Sequence, residues 1–202
     1  QMTCRDRNRI GLQSDLLGAS ILGIKNVLCM TGDHPNAGDH KEAKPVYDIE
    51  SVQLLQIVAG LNAGKDMMGN ELKGSTDFYQ GAVVTPESNP IEPQLMKFEK
   101  KIEAGANFFQ TQAIYDIDKF KEFMSYARKF PVKILAGLVL LKSAGMANFM
   151  NKFVPGINVP QNLIDELKEA GKEKAMDAGI GIMARHIKQL KDDKICDGVH
   201  IM

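Results

Sequence analysis

The feature that most constrains the fold of this chain is a near-regular alternation of short apolar runs with longer stretches of helical periodicity. Six runs are predicted as strands, at 1–4, 27–30, 78–84, 107–111, 132–138 and 198–202. Most of them are apolar throughout, as expected for strands buried on both faces. Their alternation with helices predicts an α/β protein with a parallel sheet, and both a doubly wound open sheet and a (β/α)8 TIM barrel satisfy this pattern.

Polar residues at the carboxyl ends of several predicted strands favour the barrel. These residues are Thr3, Asp33, Glu87, Gln112 and Lys142. A (β/α)8 barrel builds its site from the loops after many strands, whereas a nucleotide-binding open sheet usually carries a G-x-G-x-x-G turn, which this sequence lacks. Because six strands are two fewer than eight, we expect residues 1–202 to form a single barrel domain that lacks the first two βα units.

Composition excludes several classes of partner. Lys+Arg and Asp+Glu both number 25, so no charge excess points to nucleic acid or to an anionic membrane surface. No apolar run is long enough to span a bilayer, and no leader pattern opens the sequence. The three cysteines are far apart and the four histidines share no spacing, so we expect no metal site and a cytoplasmic location.

The predicted strand at 27–30 stops abruptly at Thr31-Gly32-Asp33 and runs into a polar loop rich in Gly and Pro at 35–45. Gly32 would let the backbone approach a ligand closely, and Asp33 offers a negative charge and two acceptor oxygens. Gly-Asp is also a common start of a turn. The residues alone therefore leave open both a ligand site and an ordinary turn.

Helical patterns and caps complete the local predictions. Asp48 is predicted to cap a helix that ends near Gly64, and Asp116 to cap a helix that Pro131 terminates. The first helix carries apolar residues at helical spacing, at Ile10, Leu12, Leu16, Leu17 and Ile21. Cys4 and Cys29 lie in apolar strand patterns and are predicted to be buried.

Four segments give the chain a resemblance to a known family. They are Met2-Thr3-Cys4-Arg5-Asp6, Thr31-Gly32-Asp33-His34-Pro35, Ala104-Gly105-Ala106-Asn107 followed by Thr111-Gln112, and Tyr115-Asp116. In order and spacing they resemble the methylenetetrahydrofolate reductases, which are flavoprotein (β/α)8 barrels of one-carbon metabolism and methionine biosynthesis. The resemblance implies that bound FAD, once reduced, transfers a hydride to 5,10-methylenetetrahydrofolate to give 5-methyltetrahydrofolate.

The resemblance also implies roles for individual residues. Asp33 and Gln112 would be catalytic and, with Lys142, would bind the folate substrate. Asp33 would lie near the flavin pyrimidine edge, Tyr47 would pack on the cofactor, and Lys100 and Lys101 would approach the FAD phosphates. The implied cofactor-binding set is Thr3, Met30, Thr31, Gly32, Asp33, Tyr47, Thr85, Asn89, Lys100, Lys101 and Gln110.

Two departures from the family pattern concern FAD binding and proton transfer. Thr85 and Asn89 stand where the family commonly has aromatic and histidine contacts to FAD. The family's general acid is a glutamate on the first barrel strand, and no residue here matches it. Within the family, the sequence resembles the anaerobic, acetogen-like branch more than the NADH-coupled one. The resemblance therefore implies that the electron donor is NAD(P)H or a partner protein. We expect a homo-oligomer or a complex with an electron-transfer subunit.

Two other functions compete with the flavoenzyme. One is a non-catalytic barrel subunit or fragment that binds flavin or a partner but lacks the acid. The other is a pterin-dependent methyltransferase-type barrel, in which Asp and Asn also hold a pterin. A carboxylate encoded upstream would argue against the first alternative, and flavin absorbance would argue against the second.

Overall fold

The computed structural model describes residues 1–202 and shows the predicted alternation of strands and helices. The elements are β1 Met2–Thr3, α1 Arg9–Ile21, β2 Asn26–Met30, α2 Ser51–Asn62, β3 Tyr79–Val84, α3 Glu92–Glu103, β4 Phe108–Ala113, α4 Ile117–Ala127, β5 Lys133–Leu138, α5 Ala144–Phe153, α6 Gln161–Glu169, α7 Gly171–Asp192 and β6 Gly198–Ile201. A single 3₁₀ turn, Pro35–Ala37, lies in the loop after β2.

The strands lie in the sheet in chain order, from β1 to β6. The pairs β1–β2, β2–β3 and β5–β6 are parallel, with Met2 opposite Cys29 and Leu135 opposite Gly198. A doubly wound sheet would reverse its strand order part-way, whereas a TIM barrel adds each strand beside the previous one. The α/β prediction and the choice of the singly wound, barrel-type order are therefore confirmed.

The chain forms two compact units, residues 1–83 with 97–108 and residues 84–96 with 109–202. In the first unit, α2 buries an apolar face that includes Leu54, Leu55 and Leu61. The helix α1 forms as predicted, but of its predicted apolar positions only Leu12 and Leu16 are buried. Ile10 and Ile21 are 72% and 87% exposed, respectively. The apolar periodicity predicted the helix correctly but overestimated the width of its buried face.

Asp48 does not cap α2, so that prediction is wrong. The residue at the cap is Glu50, whose N–H donates to the side-chain oxygen of Gln53 at 2.9 Å. The carboxylate of Asp48 instead accepts two hydrogen bonds from the Arg9 side chain, at 2.8 and 3.0 Å, and one from the Arg9 backbone N–H at 2.9 Å. This ion pair joins the start of α1 to the segment before α2.

The second unit has a continuous apolar core beneath α5, α6 and α7. Its members include Tyr115, Leu141, Ala147, Ile164 and Ile182. Helix α4 begins as predicted, because the Asp116 carboxylate accepts from the Lys119 N–H at 3.1 Å. None of the helices in either unit has both the length and the apolar character that crossing a membrane requires.

Candidate active site

The carboxyl end of β2 is shaped by a glycine that no other residue could replace without strain. Gly32 has a φ of +88°, and a Cβ built there would lie 3.0 Å from the Cβ of Thr3 and 3.1 Å from that of Arg5. Both the backbone conformation and the close approach of the segment after β1 therefore require glycine. Thr3 and Met30 are register partners at this same edge.

The loop after β2 folds back and is held against the strand end by hydrogen bonds. The Tyr47 hydroxyl donates a hydrogen bond to the Gly32 carbonyl oxygen at 3.1 Å. The Thr31 hydroxyl oxygen accepts from the backbone N–H of Ser51, the first residue of α2, at 3.3 Å. The Val46 N–H donates to the Arg5 carbonyl oxygen at 2.7 Å. These bonds hold the half-buried Tyr47 beside the Thr-Gly-Asp turn.

A pocket of about 440 Å³ opens at this strand end, lined by Thr31, Gly32, Tyr47, Asp48, Ile49, Glu50 and Gln53. That volume lies within the range of roughly 300–1,000 Å³ that is usual for small-molecule sites. The lining combines an aromatic ring, apolar surface and hydrogen-bonding groups. The first unit thus brings together six of the predicted cofactor residues, Thr3, Met30, Thr31, Gly32, Asp33 and Tyr47, around one edge.

Arg5, to which the sequence assigned no role, also lies at this strand end. Its guanidinium pairs with Asp6 at 2.7 Å and donates to the backbone carbonyl oxygen of Asp33 at 3.2 Å. The Thr3 hydroxyl donates to the same Asp6 carboxylate at 2.8 Å. The hydrogen bond from Arg5, with that from Thr3, holds the pKa of Asp6 below its ordinary value. This chain of bonds fixes the backbone of Asp33 while the residue stays exposed.

Lys100 and Lys101 do not form one basic surface, which corrects the prediction that they act as a pair. Consecutive residues on a helix point about 100° apart. Lys100 is exposed, whereas Lys101 is 6% exposed and its ammonium donates to the Val83 carbonyl oxygen at 2.7 Å. Burial lowers the pKa of Lys101 to about 8. Of these two lysines, only Lys100 offers an exposed cation.

In the second unit, Gln110 and Gln112 lie on the same face of β4. The strand alternates between fully buried residues, Phe109, Thr111 and Ala113, and half-buried ones that include both glutamines. The side-chain oxygen of Gln112 accepts from the Ala113 N–H at 3.2 Å, so its amide N–H groups are the donors this face can present. The structure thus places the two predicted residues Gln110 and Gln112, separated by Thr111, as a pair of amides on one surface.

Thr111 holds the backbone of Gln112 in place through its hydroxyl group. Its hydroxyl donates to the Gln112 carbonyl oxygen at 2.8 Å and accepts from the Gly137 N–H on β5 at 2.8 Å. A Cβ at Gly137 would clash with the Thr111 carbonyl oxygen, so only glycine fits at this point of β5. The position of Gln112 is therefore fixed by a buried side-chain bond as well as by the strand.

Glu87 joins the loop after β3 to the loop after β4. Its Oε1 accepts from the backbone N–H groups of Tyr115 and Asp116, both at 3.2 Å. The residue is 9% exposed, and burial raises the pKa of its carboxyl group above the ordinary value. The sequence placed Glu87 among polar strand-end residues but assigned it no role, because both of its partners lie 28 or 29 residues away.

The remaining predicted residues lie on loops of the second unit. Thr85 is half-buried and its carbonyl oxygen accepts from Ser88 at 3.3 Å, while Asn89 is exposed. Lys142 is exposed and immediately precedes Ser143, whose hydroxyl caps α5 by accepting from Met146 at 3.0 Å. The structure shows no group of three His, Cys, Asp or Glu side chains that could hold a metal ion.

Parallel strands in chain order, with polar side chains and a pocket at strand ends, define a barrel-type α/β protein with a candidate small-molecule site. The model of the methylenetetrahydrofolate reductase family matches residues 1–202. Methylenetetrahydrofolate reductase 2 of Schizosaccharomyces pombe is 25% identical over 210 residues, covering 95% of this chain and 31% of that protein. Methylenetetrahydrofolate reductase (NADH) 1 of Arabidopsis thaliana is 25% identical over 154 residues, covering 66% of this chain and 24% of that protein.

Among solved structures, a Clostridium thermocellum protein described as binding two copies of 5-methyl-5,6,7,8-tetrahydrofolic acid has a TM-score of 0.43. It is 24% identical and covers 62% of this chain and 47% of its own. The chain spans between about a quarter and a third of the length of the two curated relatives. The chain belongs to the methylenetetrahydrofolate reductase family, as the full-length match to the family model shows.

Proposed function

We propose that this chain is part of a flavin-dependent methylenetetrahydrofolate reductase. The enzyme would bind FAD and reduce 5,10-methylenetetrahydrofolate to 5-methyltetrahydrofolate. The observation that carries the proposal is the family match over residues 1–202, which coincides with a pocket at the Thr31-Gly32-Asp33 strand end. When bound, the reduced flavin would supply the hydride.

The residues at the end of β2 fit a planar cofactor. Gly32 leaves the strand end without a side chain, and Tyr47 is held beside it by its hydrogen bond to the Gly32 carbonyl. The backbone groups of Thr31 and Gly32 would align the ring edge, and Tyr47 would supply apolar contact. Asp33 would place a negative charge near the ring, and such a charge tunes flavin electronics. Lys100 is the exposed cation that suits the phosphates.

Asp33 and Gln112 would bind the reacting part of the folate. A carboxylate accepts hydrogen bonds from the ring N–H and amino groups of a pterin, and an amide offers a donor and an acceptor together. Gln110 shares its β4 face with Gln112 and would extend that amide surface. The exposed ammonium of Lys142 suits the carboxylates that a folate carries at its other end.

The electron donor is proposed as NAD(P)H or a partner protein. The name of the Arabidopsis thaliana relative specifies NADH, which supports the first. The resemblance to the anaerobic branch supports the second. Anaerobic reduction of the flavin by NADH or NADPH alone would select the nicotinamide donor, and reduction only in the presence of a co-purifying protein would select the partner.

The first test is a visible absorption spectrum of the purified protein, reconstituted with FAD where needed, followed by anaerobic addition of 5-methyltetrahydrofolate. We expect a flavin band that bleaches on addition. A band that does not respond to the folate would refute the substrate. A protein that takes up no flavin would refute the proposal and favour the non-catalytic barrel or the pterin-dependent methyltransferase-type barrel.

Asp33→Asn is the matching variant, because it keeps the shape of the side chain and removes the charge. A hydrogen bond to a charged group contributes about 1.5–3 kcal/mol, so bleaching should slow by about tenfold or more while flavin is retained. Asp39→Asn is the control, since Asp39 is an exposed carboxylate in the same loop. Equal effects of the two substitutions would argue that Asp33 does not contact the reacting groups.

A further inference from the structure

Strand β6 carries a half-buried histidine, His200, to which the proposed function gives no role. In the parallel pair of β5 and β6, His200 lies opposite Gly137. Its imidazole forms no hydrogen bond and no ion pair with another group of the protein. A neutral imidazole has one N–H donor and one acceptor nitrogen, so both are available to a ligand.

His200 lies on the same face of the sheet as Gln112. Side chains alternate along a strand, and residues opposite each other on paired strands share a face. A Cβ built on Gly137 would lie 2.9 Å from the terminal methyl group of Met202 and 3.0 Å from the Gln112 carbonyl oxygen. Because Met202 is two residues beyond His200, the face of Gly137 is the one that carries His200. The fully buried side chains of β4 and β5 point the other way, into the apolar core, and Gln112 belongs to the half-buried face of β4.

Gly137 leaves the space between Gln112 and His200 free of any β5 side chain. Neighbouring strands are about 4.8 Å apart, so β4 and β6 are separated by roughly 10 Å. Side chains that reach inward from both strands can form hydrogen bonds to a planar ring lying on the Gly137 backbone. Met202 is 48% exposed and unbranched, so its methyl group can shift to make room for a ring or pack against it.

Both flanking side chains project from well-fixed strands. The backbone of Gln112 is held as described above, and the hydrogen-bond ladder of β6 continues past His200, where the Met202 N–H donates to the Leu138 carbonyl oxygen at 2.9 Å. A binding group is more precise on a rigid strand than on a loop. The three strands β4, β5 and β6 therefore present one fixed surface with a polar group on each side of a glycine.

We propose that His200 is a substrate-binding residue, which holds the ring system of the folate together with Gln112 across Gly137. The proposal rests on the reductase function proposed above and adds a residue to its substrate site. Gln112 would present its amide N–H groups from β4, and His200 a donor or an acceptor from β6. A heteroaromatic ring with polar atoms along its edge, such as a pterin, matches this pair, whereas a purely apolar ring would leave both groups unpaired.

Tetrahydrofolate is a suitable probe, because it has the ring system of the substrate but no one-carbon group that could exchange a hydride with the flavin. Anaerobic isothermal titration calorimetry with the purified protein, reconstituted with FAD, gives its Kd. His200→Leu keeps the approximate size of the side chain and removes both hydrogen-bonding groups. It should weaken tetrahydrofolate binding by about two- to tenfold, the effect of one neutral hydrogen bond. His200→Gln keeps a donor and an acceptor and should recover most of that loss.

Val199→Ala is the matched control. Val199 precedes His200 on β6, projects from the opposite face and is 36% exposed, so this substitution should leave tetrahydrofolate affinity unchanged. His200→Leu should bind FAD as tightly as the unmodified protein does. A purely structural role for His200 would lower the urea midpoint without changing tetrahydrofolate affinity, and would overturn the proposal. Where His200→Leu fails to fold, His200→Ala removes the same polar groups and adds no apolar surface.

The titrations separate failure of this proposal from failure of the proposed function. Equal tetrahydrofolate binding by the unmodified protein and His200→Leu would overturn the role of His200 and leave the reductase proposal intact. Weaker FAD binding by His200→Leu, with tetrahydrofolate binding unchanged, would assign His200 to the cofactor and overturn its role in substrate binding. A protein that takes up FAD but binds no tetrahydrofolate would overturn the substrate of the reductase, and the role of His200 with it.

Discussion

Replacing Gly32 with alanine should lower the free energy of unfolding of the first unit by more than backbone strain alone would. At a φ of +88° an alanine incurs about 1–2 kcal/mol of left-handed strain. Its Cβ would also press on Thr3 and Arg5 at 3.0 and 3.1 Å, and overpacking of this kind costs about 1–3 kcal/mol. The free energy of unfolding should therefore fall by about 2–5 kcal/mol in total.

Gly23→Ala is the matched control for this prediction. Gly23 has a φ of +79°, also lies in the first unit, and has no atom within 4 Å of the position its Cβ would take. Alanine at Gly23 incurs the same strain and the same change in unfolded-chain entropy without the crowding. The difference between the two variants therefore measures the close approach at the end of β2.

The assay is equilibrium unfolding in urea, with the midpoints of both variants compared on a common slope. Gly32→Ala should lose about 1–3 kcal/mol more than Gly23→Ala. Flavin affinity can be measured on the same protein preparation. Gly32→Ala should weaken it, because the displaced Gly32 carbonyl oxygen no longer accepts the hydrogen bond from the Tyr47 hydroxyl. Equal losses of stability would show that Thr3 and Arg5 move aside freely, and would refute the argument that this edge is rigid.

Two further predictions concern buried polar groups. Thr111→Val should lower the free energy of unfolding by about 1–3 kcal/mol, because the Gly137 N–H loses its acceptor, and Thr111→Ser should recover most of the loss in the same urea assay. Lys101 has a folded-state pKa of about 8, below its unfolded value of 10.5, so the unfolded chain binds the proton more tightly. Stability should thus rise as the pH increases from 8 to 10.5, and Lys101→Met should remove that rise in urea midpoints measured across the range. A pH slope unchanged in Lys101→Met would contradict the burial of the ammonium.

Within-element features of the fold could be predicted from the sequence because each depends on neighbouring residues. The alternation of apolar runs with helical periodicity determined the parallel α/β architecture, and Asp116 capped α4 as expected. Cys4 and Cys29 are buried as predicted, and burial raises the pKa of the Cys4 thiol to about 11. The family assignment also came from short motifs in order, and the family model confirmed it.

Features that depend on long-range packing could not be predicted in the same way. The buried face of α1 is narrower than its apolar periodicity predicts, because the exposure of Ile10 and Ile21 depends on what packs against the helix. Asp48 pairs with Arg9, which is 39 residues away, instead of capping the adjacent helix. No local pattern distinguishes Lys101, which is buried, from Lys100, which is exposed.

The sequence by itself determined which residues stand at the ends of strands, including Asp33, Gln112 and Glu87, because strand ends are set by local apolar runs and turns. Only the tertiary structure determined which groups each of them contacts. Arg5 fixes the backbone of Asp33, Thr111 fixes that of Gln112, and Glu87 joins two loops while leaving one oxygen unpaired. The physical reason is that a side chain's partner is set by the packing of distant segments, whereas its position along a strand is set by its neighbours in the chain.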